Sequence, residues 1–580
     1  TIRSAVIYMI ICYTDNTRSI NLRWRDAENK RQEKIVTDFR PYFFIKQTDK
    51  RPETYKAKEF INGKNRTIPW PFLYEEGDWV NLEGRQLTKV IVGKPADIAS
   101  ARKLWRQTYE ADVAFHHRYC VDELEEIPEY NMRKWYWDME WLNNDPLYGD
   151  AITCIAVYDN YTKKHTIYYW QPHNGYIASL GDCYNSEKEM LIRFVDDIQD
   201  QDPDMLLAWF GLKFDLPKLI ERMVYCGLDP RNLSPYGMVN GVYESSNEIV
   251  ISNTDYSPTA QPIKGRITLN LDLAFERQWN DAQRGTLPSL ALDYVGETVL
   301  GQKKLVSEKF PDKNEFFKRG WLEDTERYIE YAMMDVELIR KLDEDNYTSE
   351  AILALQRLLI APFDACFYAS NMGAMYFMRN ATWKAPTGQK KMKCPSCKKE
   401  VKTQKKCPVC NKSMFEDYEG AMIYDPMTEE TNGLHLNVAA FDFAGLYPSM
   451  ILARNISWET KSETPTVFQC NIKTPRDFSP VAEEKMLYYK TDELGLLPKS
   501  VRDLKVLRND YKKKMKAADT QEEYVKWFNN QMAVKRLMAS FYGIIAYRSF
   551  GWFDLDMAAS ITASAREAIR MAAFKVRELE

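Results

Sequence analysis

Apolar and polar positions change period several times along the chain. Short apolar runs such as Ile2–Cys12 and Arg40–Ile45 mark β-rich structure in residues 1–130. One helical stretch, Ala96–Tyr109, interrupts them, with Asp97 placed to cap it. From 131 to 345 strand-like and helix-like segments alternate, which predicts an α/β domain. Residues 346–440 open helically, pass through a Lys- and Cys-rich insertion at 391–413, and include a strand-like segment, Glu419–Tyr424. A further apolar run begins near Leu436 and ends at Asp442, so a strand would deliver that carboxylate to a compact turn carrying Tyr447 and Pro448. Residues 441–499 and 541–580 read as two pieces of one domain, separated by a helical hairpin at 500–540. Ser500 is the predicted N-cap of its first helix, and Thr520 with Glu523 three residues later makes a capping box for its second. There is no internal repeat of 20–50 residues.

A chain of 580 residues needs several cores. With 45% hydrophobic and 28% charged residues it is globular rather than disordered. The formal net charge is -4, so any nucleic-acid surface requires Lys and Arg concentrated locally. No apolar run approaches the ~18 residues of a membrane span. Ala5–Cys12 is too short for a signal peptide and lacks its cleavage pattern. The expected location is therefore the cytoplasm, or the host cytoplasm for a viral protein. The first residue is Thr rather than Met, which fits a processed, trimmed or partial chain.

Four of the 11 cysteines form two Cys-x-x-Cys pairs, Cys394/Cys397 and Cys407/Cys410. Four thiolates at that spacing predict one tetrahedral, structural Zn2+ rather than a disulfide framework. The surrounding lysines would moderate the tetrathiolate charge. The knuckle reads first as a staple for a small insertion, with nucleic-acid phosphate as a second use of its lysines.

The 131–345 segment carries the richest chemistry. Trp135-Tyr-Trp-Asp-Met-Glu140 puts Asp138 and Glu140 two apart, on one face of a strand. Asp215 follows an apolar run ending Phe214-Asp215, and Tyr331 and Asp335 are i and i+4 on a helical stretch. Four carboxylates can hold two metal ions that activate water and stabilise a departing phosphodiester oxygen. A tyrosine hydroxyl can orient that water. Each motif alone is common on solvated surfaces; their order in one α/β segment is far more specific.

That order resembles the three exonuclease motifs of family B DNA polymerases, whose proofreading domain is ribonuclease H-like. The resemblance implies Asp138, Glu140, Asp215 and Asp335 as Mg2+ ligands and Tyr331 as the residue positioning the nucleophilic water. One departure is Phe210, where the pattern has an Asn that seats the single strand. Phe441-Asp-Phe-Ala-Gly-Leu-Tyr-Pro-Ser449 resembles the first polymerase motif, with Gly445 in place of Ser. Asp442 would bind Mg2+, and Leu446 and Tyr447 would lie at the nucleotide, Tyr447 excluding a ribose 2′-hydroxyl by steric clash. Arg508, Lys512 and Lys535 would grip the triphosphate. Lys535 to Gly543 resembles the motif Lys-x-x-x-Asn-Ser-x-Tyr-Gly, with Ala539 for Asn and Tyr542 at the nucleotide site. Tyr418-Glu-Gly420 resembles the template-contacting linker motif.

The implied architecture is α/β and α+β multidomain: a β-rich N-terminal domain (1–130), the exonuclease (131–345), a linker and early palm with the zinc knuckle (346–440), palm (441–499), fingers (500–540) and further palm (541–580). In the family, a strand bearing Tyr-x-Asp-Thr-Asp and a thumb come next. The resemblance thus implies a proofreading DNA polymerase present as its larger part and weak in synthesis alone. Its partners would be primer-template DNA, dNTPs and a sliding clamp. A small subunit supplying the missing strand and thumb, a plain truncation, and an inactive nucleic-acid-binding scaffold stand as alternatives. The pattern is closest to archaeal and phage members, and Phe39-Arg-Pro-Tyr-Phe43 looks archaeal.

Overall fold

The computed structural model describes residues 10–13, 19–26, 28–61, 64–127, 131–172, 182–281, 285–388, 391–402, 406–412, 414, 418–422, 433–434, 436–439, 442–475 and 482–579. They form two compact units, one of residues 1–14, 18–39 and 123–367, the other of 15–17, 40–122 and 368–580. Residues 1–130, expected as one domain, are therefore divided between the two.

The first unit is built on a six-stranded mixed sheet. Its strand order is Asp182–Tyr184, Lys164–Trp170, Ile152–Asp159, Lys134–Trp141, Met205–Ala208, Ile267–Asn270. Of the first three pairings, up to Lys134–Trp141, the second and third are antiparallel, and the strands beyond it run parallel to it. The strand alternation expected from the Trp135–Glu140 sequence is present. Trp135 and Trp137 face the helix Glu187–Gln201 and pack on Phe194, with ring centroids 6.2 and 6.5 Å away. Tyr136, Asp138 and Glu140 face the other way, toward the long helix Thr325–Asn346.

Strand and helix meet in register. Tyr136 Oη donates to Asp343 Oδ2 at 2.7 Å, and Asp138 and Glu140 lie with Asp335. Four residues of strand span ~13 Å at ~3.3 Å each, and eight of helix span ~12 Å at ~1.5 Å each, so the two ladders stay matched. Asp343 also accepts from Ser349 N–H (2.6 Å) and Ser349 Oγ (2.7 Å), at the start of the next helix, Thr348–Leu359. A fold irregularity between Ile152 and Cys154, opposite Glu140, puts Thr153 Oγ1 on the Glu140 carbonyl at 3.1 Å and beside Tyr328 Oη at 2.8 Å. Such a bulge re-aims side chains next to it.

In the second unit the helices Leu496–Lys516 and Gln521–Ala546 form the expected hairpin. Thr520 caps the second, accepting from Glu523 N–H. The first begins earlier than its predicted cap. It starts after Gly495, Pro498 sits in its first turn, and Ser500 Oγ donates back to the Leu496 carbonyl at 2.7 Å. The predicted helix Ala96–Tyr109 is instead a chain of short turns, 3₁₀ at Pro95–Asp97 and Arg102–Leu104 around an α-turn at Ile98–Ala101. Asp97 makes no cap; its carboxylate accepts from Tyr55 Oη at 2.9 Å. The strand expected before Asp442 is also absent among the described residues: Leu434, Leu436 and Val438 are exposed and belong to no strand, and Asn437 between them is left-handed, φ 58°. Residues 440–441 lie outside the described residues. Glu419–Met422 form no strand either, and Ile423 and Tyr424 lie outside the described residues, as do Ile2–Met9 of the first β-rich run. The Arg40–Ile45 run is the strand Tyr42–Lys46.

The Asp343 node predicts its own cost. Asp343→Ala leaves Tyr136 Oη and both Ser349 donors buried without an acceptor and should destabilise the first unit by ~2–4 kcal/mol, read from chemical unfolding. Tyr136→Phe, which spares the other donors, should cost about 1 kcal/mol.

Candidate active site

Asp138, Glu140 and Asp335 bring carboxylate oxygens within 4.8 Å of one another. Asp215, the fourth expected ligand, lies outside that set but near enough to interact electrostatically with Asp138 and Glu140; it sits in the first turn of the helix Asp215–Tyr225, where its own N–H and that of Met139 point at its carboxylate. That helix follows a turn in which Phe210 takes a left-handed conformation, φ 58°. The turn is held by Asp272 Oδ1 accepting from Phe210 N–H (3.0 Å) and Asn270 Oδ1 accepting from Leu212 N–H (2.9 Å). A left-handed backbone suits Asn and strains a bulky residue. The departure noted at Phe210 therefore falls where the chain bends to present Asp215.

Burial and mutual repulsion hold these acids protonated more readily than usual. Asp138 is pushed up to about 7 by burial and then by the Asp335 carboxylate. Glu140 is raised well above its ordinary value by burial and then by Asp138, and Asp215 by burial and then by Asp138. Asp335 is raised by burial, with Lys304 opposing. Its Oδ1 is buried without a hydrogen-bond partner among the described residues.

Lys304 is the functional-site residue that the sequence did not reveal. Its ammonium contacts Asp335 Oδ2 and donates to Tyr331 Oη at 3.2 Å. The neighbouring acids raise it above the usual lysine value against the cost of burial. Its own N–H donates to Asp293 Oδ1 at 3.0 Å, which fixes the loop that carries it. A lone lysine in a loop has no periodicity to betray it. Tyr331 is wedged edge-on against Phe316 and Phe317, centroids 5.7 and 5.6 Å away, on the π-helical turn Phe316–Gly320.

The second unit gathers the other expected residues. Asp442 is exposed and belongs to no cluster of three ligand-type side chains among the described residues. Gly445 adopts φ 73° as it starts the helix Leu446–Ala453, a conformation glycine takes without strain. Tyr447 and Tyr542 lie with ring centroids 4.9 Å apart, and Tyr418 Oη meets Tyr542 Oη. Arg566 Nη1 donates to the carbonyls of Glu419 (2.5 Å) and Gly420 (2.6 Å), and Thr562 Oγ1 to Glu419 O (2.8 Å). Arg566 and Thr562 are thus the supports of the Tyr418–Gly420 segment. Lys512 is held below the usual lysine value, chiefly by Arg508, then by burial, Lys516 and Lys535, so these cations feel one another's charge. Lys505 Nζ donates to Ser449 Oγ at 3.0 Å, joining the hairpin base to the Leu446–Ala453 helix.

The four knuckle cysteines form a closed set. Cys394 Sγ lies 3.6 Å from Cys410 Sγ and Cys397 Sγ 3.7 Å from Cys407 Sγ. A tetrahedron with ~2.3 Å Zn–S bonds has edges of ~3.8 Å, whereas a disulfide is ~2.05 Å. The two halves repeat each other. Cys394 N–H donates to Lys399 O and Lys398 N–H to Cys394 O, as Cys407 N–H does to Lys412 O and Asn411 N–H to Cys407 O. Lys398 (φ 60°) and Asn411 (φ 55°) occupy equivalent left-handed corners. The Cys397 N–H pointing at Cys394 Sγ lowers that thiol to about 6.

Two sequence models match this chain, DNA polymerase family B over residues 386–579 and the DNA polymerase family B exonuclease domain over 152–292. The chain belongs to the family B DNA polymerases. It is 26% identical to a DNA polymerase of Pyrococcus glycovorans over 509 residues, 85% of this chain and 58% of that one. It is likewise 26% identical to a DNA polymerase of Desulfurococcus sp. (strain Tok), over 85% of this chain and 58% of the relative. The chain therefore spans 58% of the length of these curated relatives. The family B DNA polymerase structure from the archaeon Pyrobaculum calidifontis has the same fold, with a TM-score of 0.68 at 19% identity over 98% of this chain and 71% of that one. The architecture is the mixed α/β multidomain one expected. No helix among the described residues is long and apolar enough to cross a membrane.

The carboxylate cluster makes stability depend on pH with a definite sign. Asp138 titrates near 3.9 when unfolded and about 7 when folded, so the folded state holds the extra proton in between. Without divalent metal, stability should fall as pH rises from about 4 to about 7, and Asp138→Asn should flatten that slope. Adding Mg2+ should raise the Tm more at pH 8 than at pH 5, as checked by calorimetry.

Proposed function

We propose that this chain carries the 3′→5′ exonuclease and the nucleotide-binding part of a DNA-templated DNA polymerase. The observation that carries the exonuclease reading is the cluster of Asp138, Glu140 and Asp335, with Asp215 nearby, beside Tyr331 and Lys304. The residues fit divalent metal: the oxygens of Asp138, Glu140 and Asp335 lie within 4.8 Å of one another with Asp215 nearby, Asp335 Oδ1 lacks a partner among the described residues, and burial, then the neighbouring carboxylates, raises the proton affinity of Glu140. When bound, Mg2+ would generate hydroxide from water and stabilise the leaving oxygen of a phosphodiester. The chain's own residues do the rest. The four carboxylates would hold the ions, Tyr331 Oη would orient the attacking water, and the Lys304 ammonium would offset phosphate charge. The phenyl ring of Phe214, 47% exposed beside Asp215, offers a face for an unpaired base.

In the polymerase half, Asp442 would take Mg2+, Leu446, Tyr447 and Tyr542 would bound the sugar and base, and Arg508, Lys512 and Lys535 would bind the triphosphate. Their mutual repulsion is what an incoming polyanion would relieve. Tyr418 and Gly420 would contact the template strand. Asp442 joins no cluster of ligand-type side chains among the described residues, and two-metal chemistry needs a second carboxylate. A separate or continuing segment would supply it and could pack on Met571 and Phe574, 66% and 65% exposed on the helix Leu555–Leu579. The four cysteines would hold one structural Zn2+.

Mg2+-dependent degradation of single-stranded DNA tests the first assignment. Asp138→Ala with Glu140→Ala should lower it by ~10³-fold or more, and Lys304→Ala by a smaller factor, ~10-fold or more. Unchanged degradation in the double variant would sink the exonuclease reading. Elemental analysis should find one Zn2+ per chain, lost in Cys394→Ser with Cys407→Ser.

A further inference from the structure

We propose that the cysteine knuckle is a clamp for the phosphate backbone of nucleic acid, on the polymerase side of the chain, and more than a staple. Between Pro386 and Met414 the sequence has nine lysines and one glutamate, in a chain whose net charge is -4. Four thiolates around one divalent ion carry a net charge of -2, far short of balancing those lysines. Lys391, Lys393, Lys398, Lys399, Lys402 and Lys412 are exposed and form no ion pair among the described residues.

Their placement is built rather than random. The strands Lys391–Lys393 and Glu400–Lys402 pair antiparallel, with Lys391 opposite Lys402 and Lys393 opposite Glu400. Val401 points inward, onto Cys394, Cys407 and Met414. Alternation then puts Lys391, Lys393 and Lys402 on the outward face. Like charges directly opposite each other oppose pairing. A hairpin this short, carrying that repulsion on a metal-fixed scaffold, is suited to a polyanion. Lys399 and Lys412 leave the two knuckles from equivalent positions, where their carbonyls accept from Cys394 and Cys407.

Both ends of the knuckle are tied to the polymerase half. At the entry, Gly388 N–H donates to Asp112 Oδ2 at 3.1 Å, and a Cβ on Gly388 would come within 1.9 Å of Ser549 O. At the exit, Tyr418 meets Tyr542, and Glu419 and Gly420 are held by Arg566. The chain thus enters and leaves the knuckle beside elements that carry the Tyr447–Tyr542 pair. The inference rests on the reading of that half as a nucleotide-binding site for a growing strand.

The test is binding of the full chain to primer-template DNA, by fluorescence anisotropy over a series of salt concentrations. The variant K391Q/K393Q/K399Q/K402Q/K412Q keeps all four cysteines. It should bind at least ~10-fold more weakly in 100 mM salt, with the salt slope reduced by ~3–5 and the same loss on unrelated sequences. It should keep one Zn2+ per chain and the wild-type Tm, and degrade a tetranucleotide at the wild-type rate. Unchanged affinity and slope with Zn2+ retained would leave the knuckle a staple only and overturn the clamp. If the wild-type chain binds no primer-template at all, the reading of the polymerase half fails as well. Comparison of duplex with single-stranded oligonucleotides identifies which backbone it grips.

Discussion

The crowding of four carboxylates, two buried and two half-buried, is the constraint on which the first unit is organised. Asp138, Glu140, Asp215 and Asp335 come from a strand, a helix start and a second helix, and none would be stable there alone as an anion. The fold tolerates them because the surrounding elements are locked by neutral and paired contacts. Tyr136 on Asp343, Thr153 on the Glu140 carbonyl, and Asp272 and Asn270 on the Phe210 turn leave the acids no freedom to relax apart. Lys304 offsets part of the charge, and it also donates to the Tyr331 hydroxyl. Electrostatic strain is thereby stored where a divalent cation would release it.

The second unit solves a different problem. Its acid, Asp442, is in the open, and its cations are the crowded groups. Tyr447, Tyr542 and Tyr418 form a continuous aromatic and hydroxyl contact that ends on Arg566 and Thr562. One helix, Leu555–Leu579, therefore supports the segment leaving the knuckle while its inner face is buried through Met557, Ile561 and Ala565.

Much of this was legible in the chain because the periodicities are exact. Two residues apart on a strand and four apart on a helix place Asp138 with Glu140 and Tyr331 with Asp335 whatever else the fold does. Paired Cys-x-x-Cys spacing is similarly local, and the Thr520 cap needs only its own turn. What escaped was set by tertiary contact. Lys304 reaches the site from a loop. Ser500 lost the cap because Gly495 and Pro498 start the helix a turn sooner. Asp97 was drawn away by Tyr55, and the segment after it broke into 3₁₀ turns. Arg566 reads as an ordinary helix residue until its carbonyl partners are seen.

The matched ladders of strand and helix carry a consequence for how such a chain can vary. Tyr136 to Glu140 and Asp343 to Asp335 cover nearly equal lengths by different numbers of residues, so they act as a vernier. Adding or removing one residue between Asp335 and Asp343 would turn one end of the helix by ~100° relative to the other. No side-chain replacement can undo such a rotation. The spacing of seven residues between those two acids is thus as much a part of the site's architecture as the acids, and variation should enter this region by substitution, leaving length changes to the loops.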